Sequence, residues 1–262
     1  MLALGPVGAA IGAFLGHQFD TGALGGSMRL AAGSAAQVNA LFFPTTFRVM
    51  GHIAKADGRV SEREIASARS VMQALHLDAA QVQAAIGYFE EGKQAGFNLD
   101  AALRPLVSAL GPYPDVAYFF LEIQLQAAIA GDGLTPAPRA RLQRVAQLLG
   151  LGAIEYARLE SILRGSYAQS QSQQGQGQGR ARYETAAASG EQLEQAYSVL
   201  GIVSSSADEE VVKAYRRQMS RHHPDKLRAN GLPDSMLERA KERTQQIQAA
   251  YERVREARGM PR

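Results

Sequence analysis

The stretch "SSSADEEVVKAYRRQMSRHHPDK", residues 204–226, decides how the C-terminal part of this chain folds. It opens on serine cap candidates followed by Asp208, Glu209 and Glu210, which set negative charge at the positive end of a helix dipole. Val212, Tyr215, Met219 and His222 recur at i, i+3, i+7 and i+10, so they form an inward stripe. Lys213, Arg216, Arg217 and Arg221 cover much of the remaining surface, with no acid between residues 211 and 221. Pro224 cannot continue the helix, and it disfavours helical geometry at His223. The spacing therefore predicts that His223-Pro224-Asp225 is displayed in a loop at a fixed exit angle, beside a basic face.

Two further helices frame this one. "EQLEQAYSVLGI" (191–202) is a short amphipathic helix with Leu193, Tyr197 and Leu200 on one side, stopped at Gly201. "PDSMLERAKERTQQIQAAYERVREARG" (233–259) is a long one, with Met236, Ala240, Ile247, Tyr251 and Val254 as its expected core contributors. Upstream, residues 166–190 form a Gln/Gly/Ser run that has too few apolar groups to offset ordering entropy, so it reads as a flexible linker. Such a linker has a reach of roughly 25–30 Å and would leave the C-terminal domain mobile.

Residues 35–165 have helical periodicity throughout and few strand signals. In "LFFPTTFRVMGHIAKA" (41–56), Phe42, Val49 and Ile53 mark the apolar side, and Pro44 is a helix start or a kink. A weak internal repeat follows: "ADGRVSEREIASARSVMQALHL" (56–77) matches "GDGLTPAPRARLQRVAQLLGL" (131–151). Val71, Met72, Leu75 and Leu77 correspond to Val145, Ala146, Leu149 and Leu151. In the first copy Asp57-Gly58 makes the turn, Ser61 is the N-cap and Glu64 is its capping-box partner. In the second, Thr135 is the cap and Pro136 takes the first helical position. Neither copy has the alternating oxygen ligands and closing glutamate of a calcium loop, so Asp57 and Asp132 read as turn residues, not metal ligands.

The chain starts differently. "MLALGPVGAAIGAFLGHQF" (1–19) carries no charge, is slightly shorter than the ~20 residues that cross a bilayer, and places Gly8, Gly12 and Gly16 on one helix face. It reads as a membrane anchor that dimerises through those glycines. A few more apolar residues upstream would complete the span, so an earlier start codon is expected. The basic n-region of a cleavable signal peptide is missing. Residues 21–34 are a small, polar spacer, and Arg29, Arg48 and Lys55 follow the anchor, which places everything after Asp20 in the cytoplasm.

Bulk composition excludes several classes. With 46% apolar and 20% charged residues the chain is globular, and a net charge of +3 does not describe a polycation built for nucleic acid. No cysteine is present, which excludes disulfides, thiol catalysis and thiolate zinc sites. His17, His52 and His76 have no partners at metal-like spacing, and His222 reads as a packed, structural histidine. There is no Walker-type loop, no HExxH and no Ser-His-Asp set, so the chain is not read as an enzyme, and no metal or cofactor is expected.

A short helix ending "YSVLGI", a basic helix containing "KAYRRQMSRHHPDK" and a third helix containing "IQAAYERV" resemble the J domain of DnaJ-type co-chaperones over about 70 residues. The wider order is similar to that of the membrane-anchored DnaJ-like co-chaperones of Gram-negative bacteria: apolar segment (1–19), helical domain with "AKADGRVSEREI" and "LEIQLQAAIAGDG" (35–165), linker (166–190) and J domain (191–262). The central part resembles the TerB domain of tellurite-resistance proteins. The Gly/Phe-rich region and zinc-binding cysteines of full DnaJ are absent.

This resemblance implies an all-α co-chaperone that stimulates ATP hydrolysis by a DnaK-type chaperone, working from the bacterial inner membrane as a single-pass protein and a homodimer. His223, Pro224 and Asp225 match the family tripeptide; Lys213, Arg216, Arg217 and Arg221 match its basic face, and Lys226 its following lysine. The chemistry fits: a cationic helix steers toward an acidic patch, Asp225 accepts a bidentate bond from a partner arginine, and His223 braces the loop by donating and accepting at once. Three other classes stand against it. A nucleic-acid binder would need stacking aromatics and a second basic surface. A hydrolase would need ligands converging on one centre. A helical scaffold or stress-sensing interaction protein would carry the J-like tail as an inactive remnant.

Overall fold

The computed structural model describes residues 26–174 and 184–261, with side chains from Ser34 onward apart from residues 168–189 and 191. By contacts the chain divides into Met1–Gly33 and Ser34–Arg262, and the description below concerns the second unit. Helices account for its regular structure, and no strand occurs among the described residues. The central helices are α1 (Gly26–Ala54), α2 (Glu62–Ala74), α3 (Ala79–Gly92), α4 (Leu99–Leu110), α5 (Pro114–Ala130), α6 (Pro136–Leu148) and α7 (Ala153–Gln174). The C-terminal ones are α8 (Glu184–Leu200), α9 (Asp208–His222), α10 (Pro224–Ala229) and α11 (Asp234–Arg258).

Helix α5 is the axis of the assembly. Its sequence "PDVAYFFLEIQLQAAIA" is apolar on every side, and nearly all of it from Val116 to Ile129 is buried. A helix of that kind needs neighbours on every side; α2, α4, α6 and α7 supply some, and α9 supplies another. Pro44 lies inside α1 rather than at its start. Close by, the Thr46 hydroxyl donates to the Phe42 carbonyl at 2.8 Å, and the Gln124 amide of α5 donates to the Thr46 carbonyl at 3.0 Å. Helices α1 and α3 approach until backbone meets backbone. A Cβ added to Gly51 would overlap the Phe89 carbonyl, and one added to Gly92 would overlap that of Arg48.

The internal repeat is real at the level of hydrogen bonds. Ser61 and Glu64 form both halves of a capping box at the start of α2, at 3.1 and 2.8 Å. Thr135 sits at the N-cap of α6, but its hydroxyl does not cap the helix; it donates to Asp57 at 2.7 Å and so joins the two Asp-Gly turns. Both repeat helices end in the same six-to-one closure, Leu77 N–H to Met72 carbonyl and Leu151 N–H to Ala146 carbonyl. The residue that turns left-handed there is Gly150 (φ 76°) in the second copy and His76 (φ 49°) in the first.

Two differences from the sequence expectations concern the C-terminal part. Helix enters the Gln/Gly/Ser run from both sides, because α7 continues to Gln174 and α8 begins at Glu184; glutamine and alanine are good helix formers. Residues 175–183 lie outside the described residues. The sequence also leads one to expect a mobile second domain, held apart by its linker. Instead α8–α11 pack against the central helices, and Leu227, Leu232, Met236, Leu237 and Ala240 belong to the same core as Phe42, Phe119 and Leu159. A second core, including Tyr197, Leu200, Val211, Ile247 and Val254, holds α8, α9 and α11 to one another. Tyr215 and Tyr251 stack beside it with ring centres 4.1 Å apart.

Among the described residues no helix is long and apolar enough to cross a membrane. The segment Met1–Phe19, with Gly8, Gly12 and Gly16, lies outside the described residues.

Candidate functional site

The sequence leads one to expect the tripeptide in a loop; in the structure only His223 lies between two helices, and Pro224 and Asp225 form the first turn of the second. His223 has extended geometry (φ −61°, ψ 119°), ends α9 and immediately precedes α10, in which Pro224 takes the first position. A helix rather than an open loop follows because proline's missing N–H costs nothing there and its φ is already helical. The Leu227 N–H donates to the His223 carbonyl at 3.0 Å, which fixes the turn. His223 and Asp225 are exposed, and neither side chain has a hydrogen bond or ion pair among the described residues.

The bracing role expected of His223 falls instead to its neighbours. The Thr244 hydroxyl of α11 lies 3.0 Å from the His222 carbonyl and 2.8 Å from that of Ala240. His222 itself is 1% exposed, with Nδ1 2.9 Å from the Gln218 carbonyl and Nε2 2.7 Å from a Glu122 carboxylate oxygen. It is a packed histidine, as its place on the inward stripe suggests, but the partner is a carboxylate on α5, one hundred residues earlier.

That carboxylate is the centre of a buried cluster. The other oxygen of Glu122 lies 2.9 Å from Nε of Arg243 on α11, and the side chains of Glu122, His222 and Arg243 are 3%, 1% and 6% exposed. Burial alone would push the Glu122 carboxyl up; its electrostatic interactions with His222 and Arg243, and the hydrogen bond to His222, override it and hold the group down to about 2. The Tyr118 and Phe119 rings of α5 stand edge-on to the His222 ring, at 6.0 and 6.4 Å. Arg239 of α11 adds a bond to Gln126 at the same seam.

The expected basic face is split by this packing. Lys213 and Arg216 are exposed on the free side of α9, while Arg217 is half-buried. Arg221 lies over the Tyr118 ring, 4.4 Å from its centre, and pairs with Glu155 of α7 at 3.1 Å. Lys226 pairs with Asp115 at the start of α5 at 2.5 Å and donates to the Ser220 hydroxyl at 3.2 Å. The tripeptide and two cations therefore face outward, and two cations are engaged within the molecule.

Asp57, Glu64 and Asp132 lie near one another at the paired turns, where burial, chiefly, and the two aspartates push the Glu64 carboxyl up. Among the described residues no group of three or more His, Asp or Glu side chains is arranged to hold a metal ion. His52 is kept neutral, its imidazole lowered to about 4 by burial and by Arg141, and its ring packs on Phe97 at 5.1 Å.

Comparison with known proteins assigns both parts. A family model described as the DnaJ domain matches residues 195–258, and one described as tellurite resistance protein TerB matches residues 45–161. Co-chaperone protein DjlA of Coxiella burnetii is 44% identical over 261 residues, covering 98% of this chain and 93% of the relative. The proteins of the same name from Shewanella oneidensis and Vibrio cholerae are 38% and 40% identical, each covering 94% of this chain and 90% of the relative. The chain belongs to the DjlA co-chaperone family. No solved structure matches it significantly.

Within this family assignment, α8–α11 are the J domain and the helices up to α7 contain the TerB domain. Sequence reasoning located the tripeptide and its cations but missed Glu122, Asp115 and Glu155 as their partners. One signal was available. Glu122 is the sole acid between Val116 and Ala130 in an otherwise apolar helix, and a carboxylate in such a setting requires a buried cation.

Proposed function

We propose that the chain is a co-chaperone that stimulates ATP hydrolysis by a DnaK-type chaperone, and that His223, Pro224 and Asp225 make the stimulating contact. The observation that carries this reading is the tripeptide's presentation: a backbone set by the start of α10, exposed His223 and Asp225 side chains, and Lys213 and Arg216 exposed on α9. A cationic helix raises the encounter rate with an acidic surface and sets its orientation. Asp225, with no hydrogen bond or ion pair among the described residues, is available for a bidentate bond to a partner arginine. The ATP and its chemistry belong to the chaperone, so the chain acts as a regulator. The apolar Met1–Phe19 segment supports recruitment of that chaperone to the bacterial inner membrane, with pairing of copies through Gly8, Gly12 and Gly16.

The test is single-turnover ATP hydrolysis by a bacterial DnaK-type chaperone with the full chain and with its His223→Gln variant. The expected result is acceleration by the first and none by the second, at unchanged thermal stability, since the His223 ring is exposed and makes no hydrogen bond among the described residues. Equal acceleration by both would refute the assignment of the site.

A further inference from the structure

The J domain is docked, and its docking surface overlaps the surface a chaperone would use. Arg221 and Lys226 belong to the basic face, and both are held by acids of the TerB side, Glu155 and Asp115. His222, between Arg221 and the tripeptide, is locked to Glu122. Further along α7, Arg158 donates to the Gly201 carbonyl at 2.5 Å, and the Ser198 hydroxyl of α8 approaches the Ile162 carbonyl at 3.5 Å. Three carboxylates thus face one edge of the cationic helix–turn unit, offering the chemistry that an acidic patch on a partner protein would offer. An arginine or lysine whose charge is already paired contributes little to steering or to a second contact.

We propose that the TerB domain is an in-cis competitor for the chaperone-docking face of the J domain. In the docked state the tripeptide, Lys213 and Arg216 are open, while Arg221 and Lys226 are taken. A chaperone gains the whole face only when the J domain lifts from α5 and α7, and a ligand or partner that binds the TerB domain where the J domain rests would release it. This rests on the co-chaperone reading above and adds a closed state to it.

The geometry supplies a reversible lock. A Cβ added at Gly165 of α7 would lie 3.5 Å from the Ser198 Cβ of α8, within the range disulfides span, and the chain has no other cysteine. In the full chain carrying Gly165→Cys and Ser198→Cys, oxidation is expected to form the bond nearly completely. The oxidised protein should then stimulate single-turnover ATP hydrolysis by the chaperone about tenfold less than the same protein after reduction. A second variant tests release without a cross-link: Asp115→Asn with Glu155→Gln removes the two rim acids and leaves Glu122 and the core in place. It should raise stimulation several-fold above the unmodified chain.

Failure to form the disulfide would overturn docking itself. Equal stimulation by oxidised and reduced forms, or no gain in the Asp115→Asn/Glu155→Gln variant, would overturn the competition while leaving the co-chaperone reading intact. If no form, including the unmodified chain, stimulates, the co-chaperone reading falls and the competition falls with it, although the disulfide yield still reports that the two domains dock.

Discussion

Glu122→Gln isolates what the buried cluster contributes. The substitution keeps the shape of the side chain and removes its charge, leaving His222 and Arg243 beside a neutral amide in a site where the three side chains are 1–6% exposed. A carboxyl moved from an ordinary 4.5 down to about 2 favours the folded chain by roughly 3 kcal/mol at neutral pH. That agrees with the ~3–5 kcal/mol lost when one member of a buried ion pair is removed. For a chain of this length, about 3 kcal/mol corresponds to a fall in Tm of roughly 6–12 °C.

The pH dependence has a defined sign. Because the folded-state value is depressed, the stabilisation is fully present above 4.5 and is lost as pH falls from there toward about 2. The Tm gap between the unmodified chain and the variant should therefore be widest at pH 7 and close toward pH 2. With no tryptophan in the chain, scanning calorimetry and far-UV circular dichroism are the suitable readouts. A variant that melts with the unmodified chain at pH 7, or a gap that stays constant down to pH 3, would refute the reasoning.

Two other substitutions test the packing. Gly51→Ala forces a methyl group into the Phe89 carbonyl where α1 and α3 touch, and should cost about 1–3 kcal/mol in urea unfolding, at the upper end because backbone cannot step aside. His76→Gly puts the residue of the second repeat copy, Gly150, into the left-handed position of the first. Relief of about 1–2 kcal/mol of steric cost, less the glycine's extra entropy in the unfolded chain, predicts a net gain of a few tenths to 1 kcal/mol in the same assay.

The sequence by itself determined what local chemistry controls. Ser61 and Glu64 announce a capping box because three-residue spacing alone brings their groups together, and the structure forms it. Pro224 fixes the break after His223 through its own ring, and helical periodicity alone turns His222 inward, although the residues buried with it are Val211, Ala214 and Gln218 while Val212, Tyr215 and Met219 of the expected stripe are half-buried. The two turns of the repeat are visible as Asp-Gly pairs for the same reason. Local geometry misleads where a distant group competes for the same atom, as when the Thr135 hydroxyl leaves its cap for Asp57.

Tertiary structure decided which surfaces meet. Glu122 and His222 stand one hundred residues apart, and no periodicity records that α5 lacks a neighbour until α9 is laid against it. The Gln/Gly composition between α7 and α8 describes how that segment would behave alone, not whether the domains on either side bury more by packing together. Sequence therefore placed Arg221 and Lys226 on a basic face, and only the fold paired them with Glu155 and Asp115. The reason is physical: caps, turns and helix faces are set by energies among residues a few positions apart, whereas docking depends on complementary charge and apolar area that the chain brings together only once both domains exist.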